Sequence, residues 1–326
     1  MKFCRMIILS VMLFLFGLTA PAYAKITVTV AHTHVETHPQ HKAFLVFKNY
    51  IENEIGDRYE IQIYPNGLAG SNEQVFSLVK LNSIQFMAIS ASLLENSSKQ
   101  YAIFSVPYLF RSEAIYELFI RDPEVIAELQ AQEKRKFFRP LSAFTAGTRN
   151  FYASFPIRTV DDLKDRNFRV QIGRNTGLMM EAFGANDYVM SFRDVYTALK
   201  RGVVEGAENN ELALVDQRHG EICKYYSYDG HQMIPDMLIG SEEFLSSLSP
   251  EDYAVFQAAA MESQRVEIRE WKSRVKKAIK QAEEMGVSFI KVDSEAFRKK
   301  VLHLHNSLLS DNPAIRKLYV MTLKYQ

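Results

Sequence analysis

The sequence predicts an α/β chain folded as two lobes, and three observations carry that reading. Its 326 residues, 47% of them hydrophobic, fill about two domains of roughly 150 residues each, with large cores. A β-α-β-α-β rhythm of hydrophobic periodicity runs through the first hundred residues and resumes in the second half. One late helix is too long for a single lobe.

The elements follow in order. Ile26, Val28 and Val30 alternate with Thr27 and Thr29, the period of a strand. After Pro39, the residues Ala43, Phe44, Phe47, Tyr50, Ile51 and Ile55 fall at helical spacing until Gly56 stops the run. Tyr59, Ile61 and Ile63 alternate again and end at the turn Pro65-Asn66-Gly67. A second helix is expected from Asn72 to about Leu81, and Phe86 to Ser90 reads as a third strand. Crossovers long enough for helices predict a mostly parallel sheet. Further on, Lys136 to Phe144 and Phe168 to Ile172 read as strands, and Asn175 to Phe183 as a helix. Ser191, with Asp194 three residues on, looks like the capped start of another helix. Ser249-Pro250-Glu251-Asp252 is a strong helix start, and no Gly or Pro recurs before Gly286. Such a helix, Pro250 to Met285, spans roughly 54 Å, whereas a lobe of this size measures nearer 35–40 Å. It would bridge both lobes, the alternative being a break near Glu267–Glu270.

Residues 1–24 have a different character. Lys2 and Arg5 precede an apolar run from Ile7 to Leu18, and Ala22-Tyr23-Ala24 is a small-x-small cleavage site. This is the layout of a secretory signal peptide, the alternative being an uncleaved anchor, for which the run is short. Cleavage before Lys25 leaves 302 residues with 37 basic and 38 acidic side chains, a balance that excludes a protein built to coat nucleic acid. Only Cys223 then remains, so no intrachain disulfide forms; beside Tyr225 and Tyr226 it reads as core filler.

Few residues advertise chemistry. His32, His34, His38 and His41 lie within ten residues, yet no His-Glu-x-x-His spacing is present, and no metal or cofactor is expected. The cluster reads as structural or solvated histidines or as a ligand-facing loop after the first strand, which makes His32 a candidate ligand contact. There is no Gly-x-Ser-x-Gly elbow, no phosphate loop and no dinucleotide fingerprint, and Glu205 and Glu208 are the nearest approach to paired carboxylates. Nothing marks the chain as an enzyme.

The informative stretch runs from Thr145 to His231. It contains Gly147-Thr148-Arg149, then Asn167-Phe168-Arg169-Val170, then Asp194-Val195-Tyr196-Thr197-Ala198-Leu199, Gly202-Val203-Val204-Glu205-Gly206-Ala207-Glu208-Asn209 and Gly230-His231. In order and spacing this resembles the solute-binding proteins of TRAP transporters, the dicarboxylate-binding type. Asn66-Gly67-Leu68-Ala69-Gly70 and Val106-Pro107-Tyr108-Leu109-Phe110 extend the likeness over nearly the whole mature chain. Three departures flank the matched positions: Glu205-Gly206-Ala207-Glu208-Asn209-Asn210 in place of Asp-Gly-Gln-Glu-Asn-Pro, Asn167 in place of Lys, and Asn82-Ser83-Ile84-Gln85 in place of Gly-x-x-Asp.

The resemblance implies a two-lobed periplasmic binding protein fold whose hinge closes over an organic acid. Delivery to membrane permease subunits driven by an ion gradient would follow. The first lobe would comprise 25–146 plus 235–274 and the second 147–234 plus 275–305, with 306–326 packing across them. The matched residues imply Arg169 and Arg149 as carboxylate anchors, since a planar, permanently charged donor fork suits that ligand. Asn209 would donate and accept beside them. Phe151 would pack on the ligand, the alternative being a core residue, and Ser90 would reach the ligand from the strand Phe86 to Ala91. The family's sialic-acid binders place an acid near Ser90 and this chain has none, which favours a sugar acid such as a uronate or aldonate, then a small dicarboxylate. The expectation is a periplasmic monomer that binds no nucleic acid. Rival readings are a ligand sensor for a signalling receptor and a periplasmic hydrolase.

Overall fold

A computed structural model describes residues 24–132, 137–310 and 313–325, with the side chains of 307–310 and 314 outside the description. The signal-peptide reading of 1–24 falls almost wholly outside it, as does Lys136. Among the described residues no helix is long and apolar enough to cross a membrane.

Two sheets organise the α/β fold. The first takes β1 (Ile26–Ala31), β2 (Tyr59–Tyr64), β3 (Phe86–Ser90), β4 (Phe138–Phe144) and β10 (Asp236–Ser241), in the order β2-β1-β3-β10-β4. The second takes β5 (Arg149–Ala153), β6 (Asn167–Val170), β7 (Asn186–Val189), β8 (Gly206–Asn209), β9 (Tyr225–Gln232) and β11 (Ser288–Lys291), in the order β11-β9-β5-β8-β6-β7. The expectation of mostly parallel sheets holds, with a single reversed strand in each, β10 in the first and β5 in the second. β1 pairs in parallel with β2 and β3, and β6 with β7 and β8, but β10 runs antiparallel to β3 and β4, and β5 to β8 and β9. The antiparallel strands are those at which the chain changes lobe, between β4 and β5 and between β9 and β10. A strand entering from the other lobe needs no helical crossover, so nothing forces it parallel.

Strand periodicity sorts the cores. Along β3, Phe86 and Ala88 face one side, with Phe44, Phe47, Phe244 and Phe256, while Met87 and Ile89 face the other, with Phe76, Tyr101 and Phe138. In the second sheet Phe151 and Phe168 face one core, Tyr152, Ala207 and Tyr226 the other. Cys223 is fully buried there, and burial pushes its thiol up to about 12, which keeps it inert.

The long helix is a single unit, Pro250–Glu284, 35 residues without a break at 267–270. Ser249 caps it, its hydroxyl accepting the Asp252 amide at 3.1 Å. It packs on the helix Pro39–Ile55 of the first lobe and the helix Leu212–Asp216 of the second. It also pins the first crossing: the Thr145 amide donates to Glu267 at 2.9 Å, and Gly147, at φ +62, leaves no room for a Cβ, which would sit 2.9 Å from the Trp271 indole nitrogen. The helix Ser294–Ser310 packs on the helix Arg174–Phe183, whereas Pro313–Thr322 packs on Pro123–Gln132 and the turn Lys99–Ile103.

Ser191 departs from its expected role. A 3-10 turn, Phe192–Asp194, precedes the short helix Val195–Lys200, and the Ser191 hydroxyl caps neither. It donates instead to Glu73 of the other lobe at 3.3 Å.

Candidate ligand-binding site

The cleft between the sheets lies at the carboxyl ends of the parallel strands, where the connecting loops of an open α/β sheet converge. The first lobe contributes His34 and His38 after β1, Asn72, Ser90 at the end of β3 and Asp236 at the start of β10. The second contributes Gln171 past β6, Phe192 past β7, and Asn209 and Asn210 at the end of β8. Two adjoining pockets share Asn72, Gln171 and Phe192; the inner one reaches Arg149 and Asp216, the outer one Arg169 and Glu73. Ser90 and Ser92 both donate to the Gln171 side-chain oxygen, at 3.1 and 2.8 Å, and so tie the lobes together across the cleft.

Sheet order brings Arg149, Asn209 and Arg169 onto the neighbouring strands β5, β8 and β6. The two arginines, both essentially buried, differ in their partners. Arg149 is neutralised within the protein: Nε donates to Glu208 Oε2 at 2.5 Å, Nη2 to the Glu208 carbonyl at 3.1 Å and Nη1 to Asn209 Oδ1 at 3.3 Å. Asn209 Oδ1 also accepts the Asn210 amide at 2.8 Å, which turns the Asn209 amide nitrogen away from Arg149. Arg169 has no carboxylate within ion-pair distance among the described residues. Its Nε and Nη2 both donate to the Met190 carbonyl, at 3.3 and 3.0 Å, its plane lies 5.7 Å from the Phe192 ring centre, and Nη1 makes no hydrogen bond. Burial pulls the Arg169 pKa below its ordinary value; Glu208 offsets this in part and Arg149 adds to it. A buried guanidinium with an unmatched edge is costly on its own and favourable against an anion.

Behind Arg149 stands a buried ionic chain. Glu208 also accepts the Gln171 amide at 3.1 Å and lies 3.5 Å from His231 Nε2, while His231 Nδ1 is 2.7 Å from Asp229. Burial would raise the Glu208 carboxyl, but Arg149 and His231 outweigh it and hold it at about 2. Burial would lower His231, but Asp229 and Glu208 raise it to about 9. A histidine raised on folding stabilises fully below its unfolded value of about 6.5, and that contribution drains away as pH rises through about 9. Wild-type melting temperature should therefore fall between pH 6.5 and 9, and His231→Gln should flatten that slope in a pH series of thermal melts. An equally steep slope in the variant would refute this assignment.

The remaining sequence candidates lie elsewhere. His32 is buried, stacked on Phe44 with Nε2 3.1 Å from His41, and does not line the cleft; His34 and His38 do, their rings stacked at 3.9 Å. Burial, then His34 and His41, lowers His32 to about 3; burial, then His34, His32 and Arg274, holds His38 well below its ordinary value. Phe151 is a core residue between Phe168 and Phe183 with His231 4.5 Å away. No group of three or more His, Cys, Asp or Glu is placed to hold a metal among the described residues. Sequence reasoning gave no role to Gln171, His231 or Phe192, and none to the pairing of Glu208 with Arg149. The one available signal was that Glu208 directly precedes Asn209 in the matched motif.

The family described as bacterial extracellular solute-binding protein, family 7, matches residues 30–311. A TRAP periplasmic solute-binding protein from Anaerococcus prevotii with bound α/β-D-glucuronate is similar at a TM-score of 0.90 and 37% identity, covering 92% of this chain and 98% of the other. One from Xanthobacter autotrophicus with bound β-D-galacturonate gives 0.87 and 27%, covering 92% and 100%. The C4-dicarboxylate-binding periplasmic protein DctP of Rhodobacter capsulatus is 25% identical, covering 76% of this chain and 74% of its own. With the match spanning both lobes and the cleft between them, the chain belongs to family 7 of the bacterial extracellular solute-binding proteins, the subunits that capture organic acids for TRAP transporters.

Proposed function

We propose that this chain binds a hexuronic acid of the glucuronate or galacturonate type in the periplasm and presents it, without turnover, to TRAP membrane subunits. The observation that carries the reading is the unmatched edge of Arg169 in a buried position. Nη1 and the remaining hydrogen of Nη2 form an end-on fork for the ligand carboxylate. Arg149 and Asn209 supply a second polar anchor, and Ser90 stands on the opposite wall. Charge-assisted hydrogen bonds of roughly 1.5–3 kcal/mol each make two or three of them enough for most of a micromolar affinity, about 8 kcal/mol. The uronates bound by two of the similar structures support the ligand class.

Export would remove residues 1–24, and the mass of protein recovered from the periplasm should correspond to a start at Lys25. The lobes would move as 25–146 plus 235–274 against 147–234 plus 275–305, with 306–326 packing across them and ligand selecting the closed arrangement. The deciding measurement is a thermal-shift and calorimetric screen of D-glucuronate, D-galacturonate, D-gluconate and succinate. A ligand at 100 times its Kd adds about 2.7 kcal/mol of stability, so a uronate should raise the melting temperature clearly. A response to succinate with none to either uronate would overturn the assignment, and product formation from a uronate would revive an enzymatic reading.

A further inference from the structure

The inner pocket, which Arg169 does not line, carries two acids, Asp216 and Asp236, and their bonding is unequal. Asp216 is only 5% exposed; one oxygen is held by Arg274 of the long helix, while Oδ2 is buried and accepts no hydrogen bond, although the residue lines the pocket. Across the cleft Asp236, 17% exposed, takes Gln40 Nε2 at 3.0 Å and has His34 Nε2 at 3.8 Å. Neighbouring amides are already committed: Asn210 donates to the Ala146 carbonyl at 3.0 Å and accepts the Leu212 amide at 3.0 Å. A buried acceptor without a donor costs free energy. The missing partner must bring hydrogen-bond donors and no further negative charge, because the nearby arginines are spent, Arg274 on Asp216 and Arg149 on Glu208.

We propose that Asp216 and Asp236 form a hydroxyl-reading subsite that accepts hydrogen bonds from the polyol tail of the ligand and repels a second carboxylate. This rests on the uronate reading above and deepens it, since the same cleft would then discriminate sugar acids from C4 dicarboxylates by charge at this subsite. A neutral hydroxyl donates to Asp216 Oδ2, whereas the distal carboxylate of a dicarboxylate has no proton to give and would face carboxylate acceptors with no free cation beside them.

The test is calorimetry on wild type, Asp216→Asn and Asp236→Asn with three probes: D-glucuronate, which carries a carboxylate and a polyol tail; lactate, which carries a carboxylate without that tail; and succinate. Each substitution should weaken D-glucuronate about tenfold or more, leave lactate within twofold, and narrow the preference over succinate. Thermal melts check that the variants fold, and should Asp216→Asn fail to fold, Asp236→Asn alone decides. D-glucuronate binding unchanged within twofold in the folded variants would overturn the subsite. So would equal weakening of glucuronate and lactate, which marks general damage to the cleft. Failure of the uronate reading looks different: wild type would not bind D-glucuronate at all.

Discussion

Replacing Arg169 by lysine should weaken D-glucuronate binding by about 10- to 150-fold, the equivalent of roughly 1.5–3 kcal/mol. Lysine keeps the charge, so an account based on charge alone expects little change. The guanidinium does two things that an ammonium cannot do together. Its side edge, Nε and Nη2, holds the Met190 carbonyl, while its end edge, Nη1 and Nη2, remains for a carboxylate. A single nitrogen on a flexible stem must abandon one of them. Arg169→Ala should lose more, and the methyl ester of the ligand should bind poorly even to wild type. Calorimetry on folded variants compares these directly, and binding of Arg169→Lys within twofold of wild type would refute the end-on fork.

The largest loss of stability is expected from Glu208→Ala. The side chain is fully buried and faces Arg149, itself 2% exposed, with His231 beyond. Removing one partner of a buried pair leaves an uncompensated charge, at a cost of about 3–5 kcal/mol. Melting temperature should fall by roughly 5–10 °C on the scaling for large domains. Replacing both partners, Arg149→Met with Glu208→Leu, should cost less than Glu208→Ala alone, because no charge is stranded. Chemical unfolding of the three proteins measures the difference; a double variant less stable than Glu208→Ala would mean that shape, not charge, dominates there. Uronate binding by Glu208→Ala should also weaken, since Glu208 holds both Arg149 and the Gln171 amide in place.

Much of the molecule is legible in the chain because its causes are local. Alternation at 26–30 and 59–63, helical spacing at 43–55 and the Ser249-Pro250 start each act within a few residues, and each produced its element within a residue or two of the expected bounds. Ser191 shows the limit of such signals: its sequence context is that of a cap, but a carboxylate from the other lobe, Glu73, competes for the hydroxyl. The histidine cluster shows it again. Four candidates in ten residues are indistinguishable by spacing, and the packing of Phe44 decides that His32 turns inward while His34 and His38 face the cleft.

The sequence by itself determined the α/β rhythm, the bridging helix, the family likeness and the pair of arginines. Tertiary structure alone decided which arginine is neutralised. Arg149 meets Glu208 across 59 positions of chain, Arg169 meets the Met190 carbonyl and the Phe192 ring, and Asp216 meets Arg274 across 58. Charge pairing depends on separations of a few ångströms between residues remote in sequence. Those separations arise only when the strands have paired in register and the two lobes have closed on the long helix.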